Sequence, residues 1–161
     1  MLSMGGSSTR WLSEEEQAAW LALLRLLTWL PAAVDRQLER DAEITNFEYG
    51  VLHGLSISPH RSLRISDLAA EVNGTLSRLS KVLDRLEKRG WVVRRPCPTD
   101  GRYTLAELTD AGQEKLADSA PAHVEYVREL VFGRLTATQV RQLNAIAAKI
   151  ADAARSDCAA S

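Results

Sequence analysis

Cysteine is scarce in this sequence: its 161 residues contain only Cys97 and Cys158, the latter in a small-residue tail. That count and separation exclude a disulfide framework or a CxxC metal pair, so reduced thiols are expected. The three histidines, His53, His60 and His123, fall in separate stretches, and HExxH, a phosphate-binding glycine loop and GxSxG are all missing. Catalysis, metals and cofactors are therefore not expected. No uninterrupted apolar run reaches the roughly 18 to 20 residues of a membrane span. The opening MLSMGGSSTR has no charged segment leading into an apolar one, so a cytoplasmic protein with no membrane partner is expected. A basic excess is also lacking, since the net charge is −1, which alone argues against a nucleic-acid partner.

The charge that is present is unevenly placed. Residues 60–102 hold ten Lys or Arg against five acids, leaving ten basic and sixteen acidic residues elsewhere. A basic centre between acidic flanks suits a DNA-reading element carried on a scaffold that stays off the duplex.

Capping signals and periodicity divide the chain into helices and one hairpin. Ser13-Glu14-Glu15-Glu16 is a capping box that opens a first helix. Its apolar residues from Trp20 to Leu38 exceed one stripe, so both faces need cover, and Pro31 should kink it. Thr45-Asn46-Phe47-Glu48 opens a second, short helix that Ser58-Pro59 ends. A third is expected over 66–72, followed by a turn at Asn73-Gly74. Thr75 caps a fourth, with Leu76, Leu79, Val82, Leu83 and Leu86 aligned inward and a basic opposite face. Gly90 ends it. Residues 91–95 and 103–108 form a β-hairpin around the turn 96–101. Thr109 caps a long helix over 110–132, bent at Pro121, and Thr136-Ala137-Thr138-Gln139 opens the last helix, which should fray from 151.

Two short helices, a tight turn, a basic amphipathic helix and a hairpin form a helix-turn-helix followed by a wing. The fourth helix can lie in a major groove, with Thr75, Ser77, Arg78, Ser80, Lys81 and Arg85 on its polar side. Arg78 is the candidate for bidentate contact with guanine, while Ser77 and Ser80 let the backbone approach. Arg94 and Arg95, on the first strand of the wing, are further candidate DNA contacts.

The stretches ITNFEYGVLHGL, ISDLAAEV, TLSRLSKVLDRLEKRGWVVRR and DGRYTLAELTDAGQEKL make residues 44–116 resemble the MarR (multiple antibiotic resistance regulator) family. The resemblance implies a fold that is mainly α with a small β-hairpin wing, and a homodimeric repressor bound to a pseudo-palindromic duplex. It also implies that Asp100 and Arg102 match the wing's Asp-x-Arg motif, the Arg entering the minor groove and the Asp holding it. Guanidinium suits a narrow, negative groove on physical grounds alone. The division expected is a disordered tail (1–12), dimerisation helices (13–40 and 110–154), a DNA-binding lobe (45–108) and a frayed tail (156–161).

The family also implies a small, aromatic or anionic ligand that releases the DNA, with Trp29, Arg36, Phe47, Tyr49, His53 and Tyr126 as lining candidates; ordinary core roles compete for most of them. Cys97, in the wing with Arg94, Arg95 and Arg102 within five residues of it, is the one candidate for a redox-responsive alternative, through a thiolate favoured by those charges. A winged-helix module that binds protein is a further alternative, and salt-sensitive binding to duplexes separates it from a DNA reader. A thiol-based peroxide-reducing enzyme would need turnover at Cys97, which has no second cysteine or paired His near it in sequence.

Overall fold

The computed structural model describes residues 9–159; most of the expected N-terminal tail and the last two residues of the C-terminal one lie outside them. The helices are α1 (Glu14–Ala42), α2 (Asn46–Ile57), α3 (Ile65–Glu71), α4 (Leu76–Lys88), α5 (Asp110–Leu130) and α6 (Ala137–Ala159). The strands are β1 (Ser62–Arg64), β2 (Val92–Pro96) and β3 (Thr104–Leu108). Both capping boxes at the starts of α1 and α2 form, with Ser13 and Thr45 accepting from Glu16 and Glu48 amides and the two carboxylates accepting in return. Thr136 and Gln139 do the same at α6.

Sequence periodicity missed β1. It is three residues long, too short to show alternation, and it turns the expected hairpin into an antiparallel sheet of order β1-β3-β2. Its approach is tight, since His60 and Arg61 both take left-handed backbone (φ 55 and 54). α3 then starts at Ile65, one residue earlier than expected, with Arg64 as an N-cap that makes no side-chain cap bond. α1 runs unbroken through Pro31, as α5 does through Pro121. α5 stops at Leu130, ahead of a 3-10 turn at Phe132–Arg134. Where fraying is expected from 151, the alanine-rich end of α6 continues as helix to Ala159.

One core unites α2, α3, α4, the sheet and the start of α5. Val51, Leu52 and Leu55 of α2, Leu68 of α3, Leu79, Val82, Leu83 and Leu86 of α4, and Val92, Ala106 and Leu108 of the sheet are buried together with Leu116 of α5. A smaller cluster, Val34, Leu38, Ala42 and Ile44, joins the end of α1 to Tyr49, Trp91 and Tyr126. The N-terminal half of α1 has no such cover: Trp20, Leu21, Leu24, Leu26, Leu27 and Trp29 are exposed. So are Val124 and Phe132 beyond the middle of α5, and Leu143, Ile146 and Ile150 on α6. Although no apolar run is uninterrupted, α1 is long and apolar enough, by length and composition, to cross a membrane. The same composition serves a helix whose two faces are covered by protein.

The sheet meets the helices at one knot. Thr109 donates its hydroxyl to the Gly90 carbonyl and its amide to the Trp91 carbonyl, and its hydroxyl oxygen accepts from the Gly112 amide. A Cβ at Gly112 would overlap the Trp91 carbonyl oxygen. Gly112→Ala should accordingly destabilise the fold by about 1 to 3 kcal/mol, read as a lower urea midpoint at fixed protein concentration. An unchanged midpoint would show that α5 shifts away freely.

Candidate nucleic-acid interface

The amphipathic pattern of α4 fixes which of its side chains face out. With Leu79, Val82, Leu83 and Leu86 buried, Ser77, Arg78, Ser80 and Lys81 are exposed along the first two turns. Thr75 starts this helix by accepting from the Arg78 amide at 3.1 Å, so its hydroxyl serves as a cap. Leu76 corrects the expected inward line, because it is 58% exposed at the first helical position. An outward leucine beside Ser77 and Arg78 is suited to apolar contact with a thymine methyl. The signal for it in the sequence was positional, since the residue after an N-cap precedes the first buried turn.

The arginines around α4 divide into engaged and free. Arg94, expected on DNA, is instead clamped: its Nη2 lies 2.6 Å from both Asp84 and Glu87 carboxylates, and its Nε lies 3.0 Å from Glu87. Glu87 also accepts the Arg94 backbone amide, which ties β2 to the last turns of α4. The guanidinium bonds to Glu87 hold that carboxyl below its ordinary range. Arg85 donates to Glu48 at 2.9 Å. Burial pushes Glu48 up, but the Thr45 amide and the Arg85 guanidinium outweigh it and hold the carboxyl below its usual value. Arg95 pairs with Glu107 across the sheet at 3.4 Å. Arg85 and Arg95 remain largely exposed and can still reach a phosphate, whereas the Arg94 side chain is 28% exposed, with its Nε and Nη2 bound to two carboxylates.

The wing tip carries an arginine that is both braced by a carboxylate and presented outward. Asp100 accepts from the Arg102 amide at 3.1 Å and from its Nη2 at 2.7 Å, while the Arg102 side chain stays 84% exposed. This pairing lowers the Asp100 carboxyl and raises the guanidinium. Arg64, not singled out from the sequence, stacks over the Tyr103 ring at 4.3 Å beside it. Only the packing of β1 against β3 brings the two together.

Cys97 sits buried in the turn between β2 and β3, its Sγ 3.3 Å from Thr99 Oγ1. Its thiol is held low by that hydroxyl first and then by the amides of Thr99 and Asp100. Of the guanidiniums only Arg64 contributes, so Arg94, Arg95 and Arg102 do not supply the expected activation.

The six candidate ligand residues do not converge. Phe47 and His53 line an open cavity of about 670 Å³ between α1, α2 and the start of α4, with Asp35, Glu71 and Arg78 also on its walls. Tyr49 stacks on His53 (6.4 Å) and meets His123 in a tilted contact (4.5 Å), and the His123 Nδ1 is 2.9 Å from Gln37 Oε1. Tyr126 packs on the smaller core cluster, while Trp29 and Arg36 face outward.

A recognition helix seated on a three-helix core, followed by a wing that presents an oriented arginine, defines a winged helix-turn-helix protein. The MarR family model matches residues 52–104. The crystal structure of Sco3205, a MarR family regulator from Streptomyces coelicolor in complex with DNA, is 44% identical, with 92% of each chain covered and a TM-score of 0.87. AbsC from the same organism is 33% identical, with 92% of this chain and 99% of that one covered and a TM-score of 0.86. The transcriptional repressor MprA of Escherichia coli (strain K12) is 29% identical over 96 residues, 60% of this chain and 54% of its own. MprA and a second curated relative are matched over only 54% and 60% of their lengths. The chain belongs to the MarR family of transcriptional regulators.

The division of arginines makes a direct test. Lys81→Ala should lower the salt dependence of duplex binding by about one counterion. Arg94→Met should weaken binding with the salt slope unchanged, because its charge is spent inside the protein. Equal slope losses in fluorescence anisotropy would place Arg94 on a phosphate.

Proposed function

We propose that the chain is a cytoplasmic, non-enzymatic repressor that binds a pseudo-palindromic DNA operator as a homodimer. Residues 45–108 are the DNA-binding lobe, and 13–40 with 110–154 are the dimerisation helices. The observation that carries this reading is the set of side chains left unpaired on one side of the lobe. Ser77, Arg78, Ser80 and Lys81 face out from α4 without ion-pair partners among the described residues, and Arg102 projects from the wing on its Asp100 brace. Arg78 would read guanine in the major groove and Arg102 would enter the adjacent minor groove. That Sco3205 was solved with DNA supports the partner, and the name of MprA supports repression.

A second copy of the chain accounts for the apolar side chains that α1, α5 and α6 expose. In α6 every residue from 137 to 158 is exposed except the half-buried Val140, so the helix has hardly any cover from its own chain. A small aromatic or anionic ligand is proposed to act from the 670 Å³ cavity, whose walls include both α1 and Arg78 and so touch scaffold and reading helix together.

Light scattering should give a dimer throughout the micromolar range, and a stable folded monomer there would overturn the assignment of α1, α5 and α6. Arg78→Ala should cost about 1 to 3 kcal/mol on the operator. Arg102→Ala should weaken binding most where A·T pairs flank the half-sites and should lower the salt slope. Arg40→Ala, on the scaffold and paired with Asp41, should do neither. Equal small losses for Arg102→Ala and Arg40→Ala would mean that the wing does not touch DNA.

A further inference from the structure

The Arg78 guanidinium carbon lies 4.0 Å from the centroid of the Phe47 ring, and among the described residues no carboxylate pairs with it. Phe47 stands in the first turn of α2 and is half buried. Its other neighbour is the turn between α3 and α4. Asn73 takes left-handed backbone there (φ 52), and a Cβ on the following Gly74 would fall 2.6 and 2.8 Å from two carbons of the Phe47 ring. Gly74 itself has no positive φ, so its lack of a side chain matters here for space and not for conformation. Gly74, Phe47 and Arg78 therefore form a column in which the turn makes room for the ring and the ring carries the guanidinium.

We propose that Phe47 is a positioning residue for DNA reading, holding Arg78 in the orientation in which it meets a base. The proposal rests on the base-reading role given to Arg78 above. Stacking uses the flat face of a guanidinium, whereas its five N–H donors lie in the plane and point outward from the edge. A stacked arginine consequently keeps the paired donors that guanine O6 and N7 require. It also enters the groove with fewer rotamers to lose than an unrestrained arginine on an exposed helix. Phe47 carries no charge and cannot alter the number of phosphates neutralised, so its contribution must show in base preference and not in salt dependence.

The test measures how far each protein prefers its operator over the same duplex changed at the symmetric pair of positions whose preference Arg78→Ala flattens. Phe47→Leu, which keeps apolar bulk and removes the aromatic face, should lower that preference roughly two- to fivefold with the salt slope unchanged. Phe47→Tyr, which keeps the face, should retain it. Gly74→Ala, which pushes the ring aside without changing it, should behave like Phe47→Leu. In an Arg78→Ala background, Phe47→Leu should have no further effect on base preference. Circular dichroism and light scattering establish that each variant compared is folded and in the same oligomeric state as the parent. Undiminished preference in Phe47→Leu, with Arg78→Ala still flattening a position, would overturn the positioning role and leave the base-reading role intact. An equal loss from Phe47→Leu with and without Arg78 would show a general effect on the lobe and overturn it also. If Arg78→Ala flattens no position, the base-reading role fails and the positioning role fails with it.

Discussion

Burial of the apolar side of α4 in one core with α2, α3 and the sheet is the constraint on which the winged helix-turn-helix lobe depends. Leu79, Leu83 and Leu86 are fully buried and Val82 is 3% exposed, each such burial contributing roughly 1.5 to 3 kcal/mol. A helix pinned along those four residues has no rotational freedom, so the outward direction of Ser77, Arg78 and Lys81 is settled by packing. The polar links then set where neighbouring elements sit against it. Glu48 closes the capping box of α2 and also accepts from Arg85, so one buried carboxylate fixes the start of one helix and the middle of another. Arg94 does the equivalent work for the wing through Asp84 and Glu87.

The basic centre seen in the sequence is thereby divided into two populations. Arg94 has its charge matched by Asp84 and Glu87 and is mostly covered; Arg85 and Arg95 have carboxylate partners yet remain largely exposed. Among the described residues Arg78 and Lys81 have no carboxylate partner, and Arg102 has one that orients it without covering it. The distinction matters energetically, because a cation paired within the protein contributes little to counterion release while a free one contributes nearly one ion per phosphate. Charge counting overstates the DNA contacts of such a lobe, and pairing geometry corrects it.

Most of the helix order was legible because it is written in local chemistry. Ser13, Thr45, Thr75, Thr109 and Thr136 are each a hydroxyl placed three residues before the amide they accept from. Asp100 and Arg102 were legible for the same reason, being two residues apart in one turn. What escaped the sequence depends on distant partners. The strand β1 exists only because β3 pairs with it, and the partners of Arg94 lie seven and ten residues away on a helix. Leu76 was placed inward by a periodicity that holds for the four residues after it but not at the helix start. The six proposed ligand residues shared composition without sharing a site, since Tyr49 and Tyr126 answer to packing while Phe47 answers to Arg78 and Gly74.

In the proposed dimer, the apolar side chains on α1, α5 and α6 that one chain leaves bare would fix two copies of α4 at a set distance. Two-fold symmetry would then place the helices about one turn of DNA, roughly 34 to 36 Å, apart. Selection of bound duplexes from a random pool by the purified protein tests that arrangement most directly. The enriched sites should be inverted repeats with half-site centres about one helical turn apart and with guanine preferred at one symmetric pair of positions. Recovery of single, unrepeated sites, or no enrichment above the starting pool, would contradict the reading of this chain as a symmetric DNA reader.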